Sequence, residues 1–184
     1  MRPTLRPTVI LAAILLGAAA CGGDTASPTS SPAGKPSAYA LAAEPAGAVP
    51  VVEAKKAAPK DSAVVVGRVR EIAPGLASFT LVDASLDYCG ETDRKEGGKE
   101  MACDEPWDYC CHPADEMAKY IVAVTVKDAK GDPVAARLPE LRNLDLVVVT
   151  GRLVKDKAGN VEVEALGWYR KERPNLPAGT KFPQ

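Results

Sequence analysis

Four of the five cysteines and the only histidine of this 184-residue chain fall between Cys89 and His112. A segment so rich in sulfur is tied to itself or to an ion, and the rest of the fold must hold its two ends. The segment is also acidic: from Cys89 to Glu116 three cations stand against nine carboxylates, a balance of −6. Connections longer than about 12–15 residues inside a domain are functional, internally held or disordered. The stretch from about Ala84 to Ala118 therefore reads as a long cysteine-rich loop insertion that carries its own staples.

The scaffold around it spans about Asp61 to Arg173 and reads as short strands. Val64-Val65-Val66-Gly67-Arg68-Val69 is β-branched, and its glycine marks a bulge or sharp bend. Ala73-Pro74-Gly75 is a turn signal. Ala77–Asp83 then alternates, with Phe79 and Leu81 on one face. Lys119–Lys127 alternates too, with Tyr120, Val122, Val124 and Val126 in phase. Lys130-Gly131-Asp132 turns the chain into a short run, Val134–Leu138. Leu146–Val154 is almost continuously apolar and again holds a glycine, Gly151. Val161, Val163 and Ala165 alternate with Glu162 and Glu164 in a last strand. Five or six strands with little helix predict an all-β fold. A small barrel is favoured because closure leaves no long unpaired edge; a β-sandwich is the second choice. Val65-x-Gly67-x-Val69 with Phe79-x-Leu81-x-Asp83, and Val147-Val-Val-Thr-Gly-Arg-Leu153, resemble strands of OB-fold domains. That resemblance implies an OB-like barrel and no particular activity, since the barrel hosts unrelated ones.

The chain begins with an export pattern. Arg2 and Arg6 precede an apolar run, Val9–Ala20, that is short for a bilayer span. The run ends Leu16-Gly-Ala-Ala-Ala20-Cys21, which resembles a bacterial lipoprotein signal. The resemblance implies cleavage before Cys21, lipid on that cysteine, and a place in the cell envelope facing the periplasm or exterior. Ala18-x-Ala20 also suits plain secretion, and either route leads to an oxidising compartment. Residues 1–20 thus form the signal, and 21–60 the lipidated Cys21 followed by a disordered Pro/Ala-rich tether. Such a segment buries too little to offset its ordering entropy, and as a coil it reaches roughly 35 Å. Pro174–Gln184 reads as a flexible tail.

Export narrows what the cysteines do. Cys89, Cys103, Cys110 and Cys111 are candidates for two disulfides. Joining the neighbours Cys110 and Cys111 strains the peptide between them, which leaves Cys89 and Cys103 each to take one of the pair. Bridges of this kind stabilise by roughly 2–4 kcal/mol each. The alternative is a zinc or copper site built from Cys103, Cys110, Cys111 and His112, the right number of ligands for zinc. Soft sulfur also suits copper(I). Its difficulty is that three adjacent ligands converge awkwardly. Thiol redox exchange, with His112 favouring a thiolate, is a further alternative. Trp107, Asp108 and Tyr109 stand beside these residues as candidate binding side chains.

Pro106-Trp-Asp-Tyr-Cys-Cys111, behind an isolated cysteine and a predicted hairpin, resembles a group of uncharacterised lipoproteins from planctomycete-type bacteria. The resemblance spans most of Ser62–Tyr169 and implies only a tethered extracytoplasmic domain. A tethered haem chaperone with an OB barrel does not fit, since Val161–Arg173 lacks the histidine that family uses. From Asp61 to Arg173, 16 Lys and Arg face 21 Asp and Glu. Nucleic acid is therefore not expected as a partner, because phosphate binding needs cation-rich surfaces. Phosphate-loop, nucleophile-elbow and zincin motifs are absent. The sequence thus describes a lipid-anchored, disulfide-stapled OB-like domain that binds an unknown protein or small ligand and is not expected to be an enzyme. No cofactor is expected outside the zinc or copper alternative.

Overall fold

The computed structural model describes residues 35–91, 105–156, 158–176 and 182. In chain order the elements are β1 (Val49–Pro50), α1 (Val51–Lys56), β2 (Lys60–Ile72), β3 (Ser78–Val82), α2 (Ala114–Tyr120), β4 (Ile121–Thr125), β5 (Leu146–Lys155) and β6 (Val161–Glu172). The sheet runs β1-β2-β3-β4-β6-β5, and a further β2–β5 pairing closes it. The result is a five-stranded mixed barrel, β2-β3-β4-β6-β5, with β1 as an extra parallel strand on β2. Parallel pairing of β4 with β6 completes an OB-like architecture, so the barrel is found and the sandwich is not.

Alternation in the sequence is what fills the barrel. Val65 and Val69 of β2, Phe79 and Leu81 of β3, Val122 and Val124 of β4, Val147 and Val149 of β5 and Val163 of β6 all point into one apolar core. Trp168 is 1% exposed and is the largest fully buried side chain. It meets Phe79 edge-on, with ring centroids 5.2 Å apart, and its indole N–H donates to Glu140 Oε1 at 3.1 Å. The two glycines within β2 and β5 sit where strands approach closely. At Gly67 a Cβ would lie 2.7 Å from the Val82 carbonyl oxygen. At Gly151, beside a register shift between Thr150 and Gly151, it would lie 2.2 Å from the Glu164 carbonyl oxygen.

Four expectations are corrected. The stretch up to Lys60 is not wholly tether. The Leu41 N–H donates to the Trp168 carbonyl at 2.7 Å and the Trp168 N–H to Tyr39 at 2.9 Å, so residues 39–41 lie along β6. Val51 and Ala54 of α1 are buried in the barrel core. Lys119 and Tyr120 belong to α2 rather than to β4, since Asp115 and Glu116 in the first turn and Lys119 in the last suit a helix. Val134–Leu138 is not a strand: Ala135 makes an isolated bridge to Leu76, and Pro133 just before the run makes another to Lys127. At the carboxyl end β6 runs on to Glu172, Leu176 packs against the core of the insertion, and the Phe182 ring lies 5.5 Å from that of Trp107.

Asp83 shows how the early segment is fixed. Helix α1 has no side-chain cap of its own. The Asp83 carboxylate at the end of β3 supplies one, accepting from the Val52 N–H at 2.8 Å, the Ser85 N–H at 3.0 Å and the Ser85 hydroxyl at 2.7 Å. Burial pushes the Asp83 carboxyl up, but these hydrogen bonds outweigh it and hold it below its ordinary 3.8. Asp83→Ala is expected to cost about 1–2 kcal/mol near neutral pH. A depressed folded-state pKa gives stability that is present above the unfolded value and lost as pH falls through the folded one. The gap between wild type and variant should therefore narrow in acid, below the ordinary 3.8. Urea midpoints across that range check this, and a gap that stays constant contradicts it.

Candidate functional site: a cysteine cap on the barrel

The insertion between β3 and β4 has a small core of its own. Val82, Leu86, Tyr88, Tyr109, Met117 and Leu144 are buried together, with Trp107, Tyr120 and Ile121 packed against them. Val82 closes β3 and Leu144 lies two residues before β5, so the insertion sits as a cap over one rim of the barrel. Two stretches of the cap are paired through the backbone. The Cys89 N–H donates to Asp108 at 2.8 Å and the Gly90 N–H to Pro106 at 2.9 Å.

This pairing sets Cys89 beside the turn that follows Asp108. The His112 N–H donates to the Tyr109 carbonyl at 3.0 Å, which closes a turn with Cys110 and Cys111 at its two central positions. In an extended strand neighbouring side chains point to opposite faces; the turn brings these two towards one partner. The Cys89 Sγ lies 3.2 Å from the Sγ of Cys110 and 3.2 Å from that of Cys111. All three sulfurs fall within 4.8 Å of one another. Cys89 is buried, while Cys110 and Cys111 are exposed. A disulfide bond is about 2.05 Å long, so Cys89 is bonded to neither of these neighbours and is equally close to both.

His112 is placed differently from the expected ligand set. Its Nε2 lies 2.8 Å from the Asp87 carbonyl oxygen. A carbonyl only accepts, so Nε2 carries the proton and the ring serves to tie the turn to the other stretch of the cap. Among the described residues, the sulfurs that gather are Cys89, Cys110 and Cys111, without His112. Cys103 and Cys21 lie outside the described residues.

The three candidate binding side chains are divided by the fold. Tyr109 is 1% exposed and belongs to the cap core. Asp108 pairs with Arg70 of β2 at 3.5 Å, and Trp107 is half-buried against Phe182. Burial above all raises the Tyr109 phenol above its ordinary value, although Arg68 and Arg70 pull the other way. The Tyr109 hydroxyl and the Arg68 Nε are both buried and have no hydrogen-bond partner among the described residues. Arg68 also lies over the Tyr88 ring, 5.7 Å from its centroid. The sequence reading passed over these two arginines. Their signal is the period of two in Arg68-Val69-Arg70, which puts both cations on the outer face of β2 where an acidic insertion can settle.

The architecture is that of an OB-like barrel with a sulfur-bearing cap. No protein-family model, curated protein or solved structure matches the chain.

Proposed function

We propose that the chain is a membrane-tethered, extracytoplasmic binding module. Cys21 carries lipid, the OB-like barrel is a rigid platform, and the cysteine cap is the end that engages a ligand. The resemblance of Pro106–Cys111 to planctomycete-type lipoproteins implies the tethered, extracytoplasmic placement and nothing about the ligand. One observation carries the assignment to the cap: three sulfurs from two separate stretches meet around one buried cysteine.

The barrel wall offers less. Lys127 is held by Glu162 and Glu164 at 3.0 and 3.2 Å, Arg152 by Glu164, and Arg173 by the buried Asp145 at 2.6 Å. Cations neutralised by carboxylates in this way make a poor phosphate track, which supports a partner other than nucleic acid. Two ways of using the sulfurs suit an exported protein. Two bridges, with Cys89 taking either neighbour, would staple the cap. A shared ion would hold all three sulfurs at once, and the equal spacing around Cys89 favours it.

Radiolabelled palmitate tests the anchor. Wild type is expected to take up label and to fractionate with membranes, and Cys21→Ser to do neither. Label that persists in the variant, or wild-type chain recovered from the cytoplasm, sinks the tethered-module reading.

A further inference from the structure

We propose that Cys89, Cys110 and Cys111 form a thiolate site for a closed-shell thiophilic cation, zinc(II) or copper(I). This rests on reading the cap as the ligand-engaging end and names its ligand class.

The geometry is the first support. Zinc–thiolate bonds of about 2.3 Å in a tetrahedron separate the sulfurs by about 3.8 Å. The observed separations, from 3.2 Å to no more than 4.8 Å, bracket that value. The two 3.2 Å separations need to widen by only about half an ångström to reach that value. A disulfide requires Cys89 to close on one neighbour and turn from the other. An ion uses the symmetry that the turn at residues 109–112 has created.

The second support is how the three positions are held. Cys89 is 1% exposed and sits in a backbone pairing that fixes its direction. Cys110 and Cys111 are exposed at the tip of a turn that His112 ties down through Asp87. One anchored ligand and two on an accessible turn leave an approach from solvent, which suits an ion that is loaded and released. All-sulfur donors are soft and favour zinc or copper(I) over magnesium or calcium. Three thiolates complete a trigonal copper(I) shell, whereas zinc retains a fourth position for water or another donor.

Binding is proton-coupled. Each thiol that becomes a ligand releases its proton to solvent as its sulfur lone pair takes the metal, so affinity must fall on acidification. No electron transfer is involved.

The test uses the full chain, reduced and handled without oxygen. It is titrated with cobalt(II) as a spectroscopic stand-in, then with zinc, and separately with copper(I) against a copper(I)-selective chelator. One ion per chain and an intense thiolate-to-cobalt charge-transfer band that zinc abolishes are expected. Cys111→Ser, at an exposed position, should fold and should weaken binding by more than the roughly 10–100-fold that loss of a supporting partner costs. Stoichiometric binding of either copper(I) or zinc supports the proposal. Absence of the band in the fully reduced chain overturns it, as does affinity unchanged in Cys111→Ser. Those results leave the tethered module standing. Conversely, a chain that binds the ion but is found in the cytoplasm defeats the module and keeps the site.

Discussion

Gly151→Ala is expected to destabilise the protein by about 3 kcal/mol or more, at or beyond the upper end of ordinary overpacking. The new methyl would stand 2.2 Å from the Glu164 carbonyl oxygen and 2.9 Å from the Ala165 Cα. Both obstacles are backbone, so no side chain can rotate away. Relief would require β5 and β6 to separate at the register shift where the barrel wall bends. Urea unfolding should show a much lower midpoint with a similar slope, the mark of lost stability without a changed denatured state. A midpoint equal to that of wild type would mean that the two strands do not cross there as described.

The second large effect belongs to Trp168→Ala, at about 3–5 kcal/mol. Its ring is the largest fully buried group, packed between Phe79 and Tyr39 at 5.2 and 5.6 Å. Its loss also removes the indole N–H bond to Glu140. Because the Tyr39 ring rests on it, the early segment should loosen with the core. Limited proteolysis is therefore expected to cut near residues 35–48 sooner in the variant than in wild type. Equal cleavage rates would show that backbone bonds alone hold that segment to β6.

These two positions also show what is legible in such a chain. Phe79, Leu81, Val122, Val124 and Val163 announce themselves by alternation, because a strand with one wet face can satisfy burial in no other way, and Val65, Val69 and Val147 by lying in β-branched apolar runs. Gly67 and Gly151 stand out for the same reason: a residue without a side chain in a β-branched run marks a close approach. The early segment hides, because its attachment is tertiary. Tyr39, Leu41, Val49 and the pair Val51-Val52 are the only bulky apolar residues between Lys35 and Lys60, and the carboxylate that caps α1 comes from Asp83 at the end of β3. The helix before β4 is hidden in the sequence because Tyr120 continues the strand's apolar phase, although Pro113, Asp115 and Glu116 are helix-start signals.

The site was half legible. Sulfur crowded between Cys89 and His112 could be seen to form one centre, and adjacent cysteines looked hard to use together. The turn closed by Tyr109 and His112 removes that difficulty, yet backbone turning between Asp108 and Pro113 leaves no periodic trace. Nor does spacing reveal that His112 spends its Nε2 proton on Asp87. Trp107-Asp108-Tyr109 invited reading as a binding surface, because exposed aromatics are common in such roles. Burial of Tyr109 instead makes it part of the apolar core of the cap.

Amide hydrogen exchange of the reduced full chain, with zinc and after chelation, tests most directly whether the cap is organised by one sulfur-bound ion. The Cys89 and Gly90 amides, bonded across the cap to Asp108 and Pro106, are the reporters, and the Val65 and Val149 amides of the barrel are the internal standard. Zinc should protect the cap amides strongly and chelation should release them, with the barrel amides unmoved. Cap amides equally protected in the reduced, ion-free chain would contradict it.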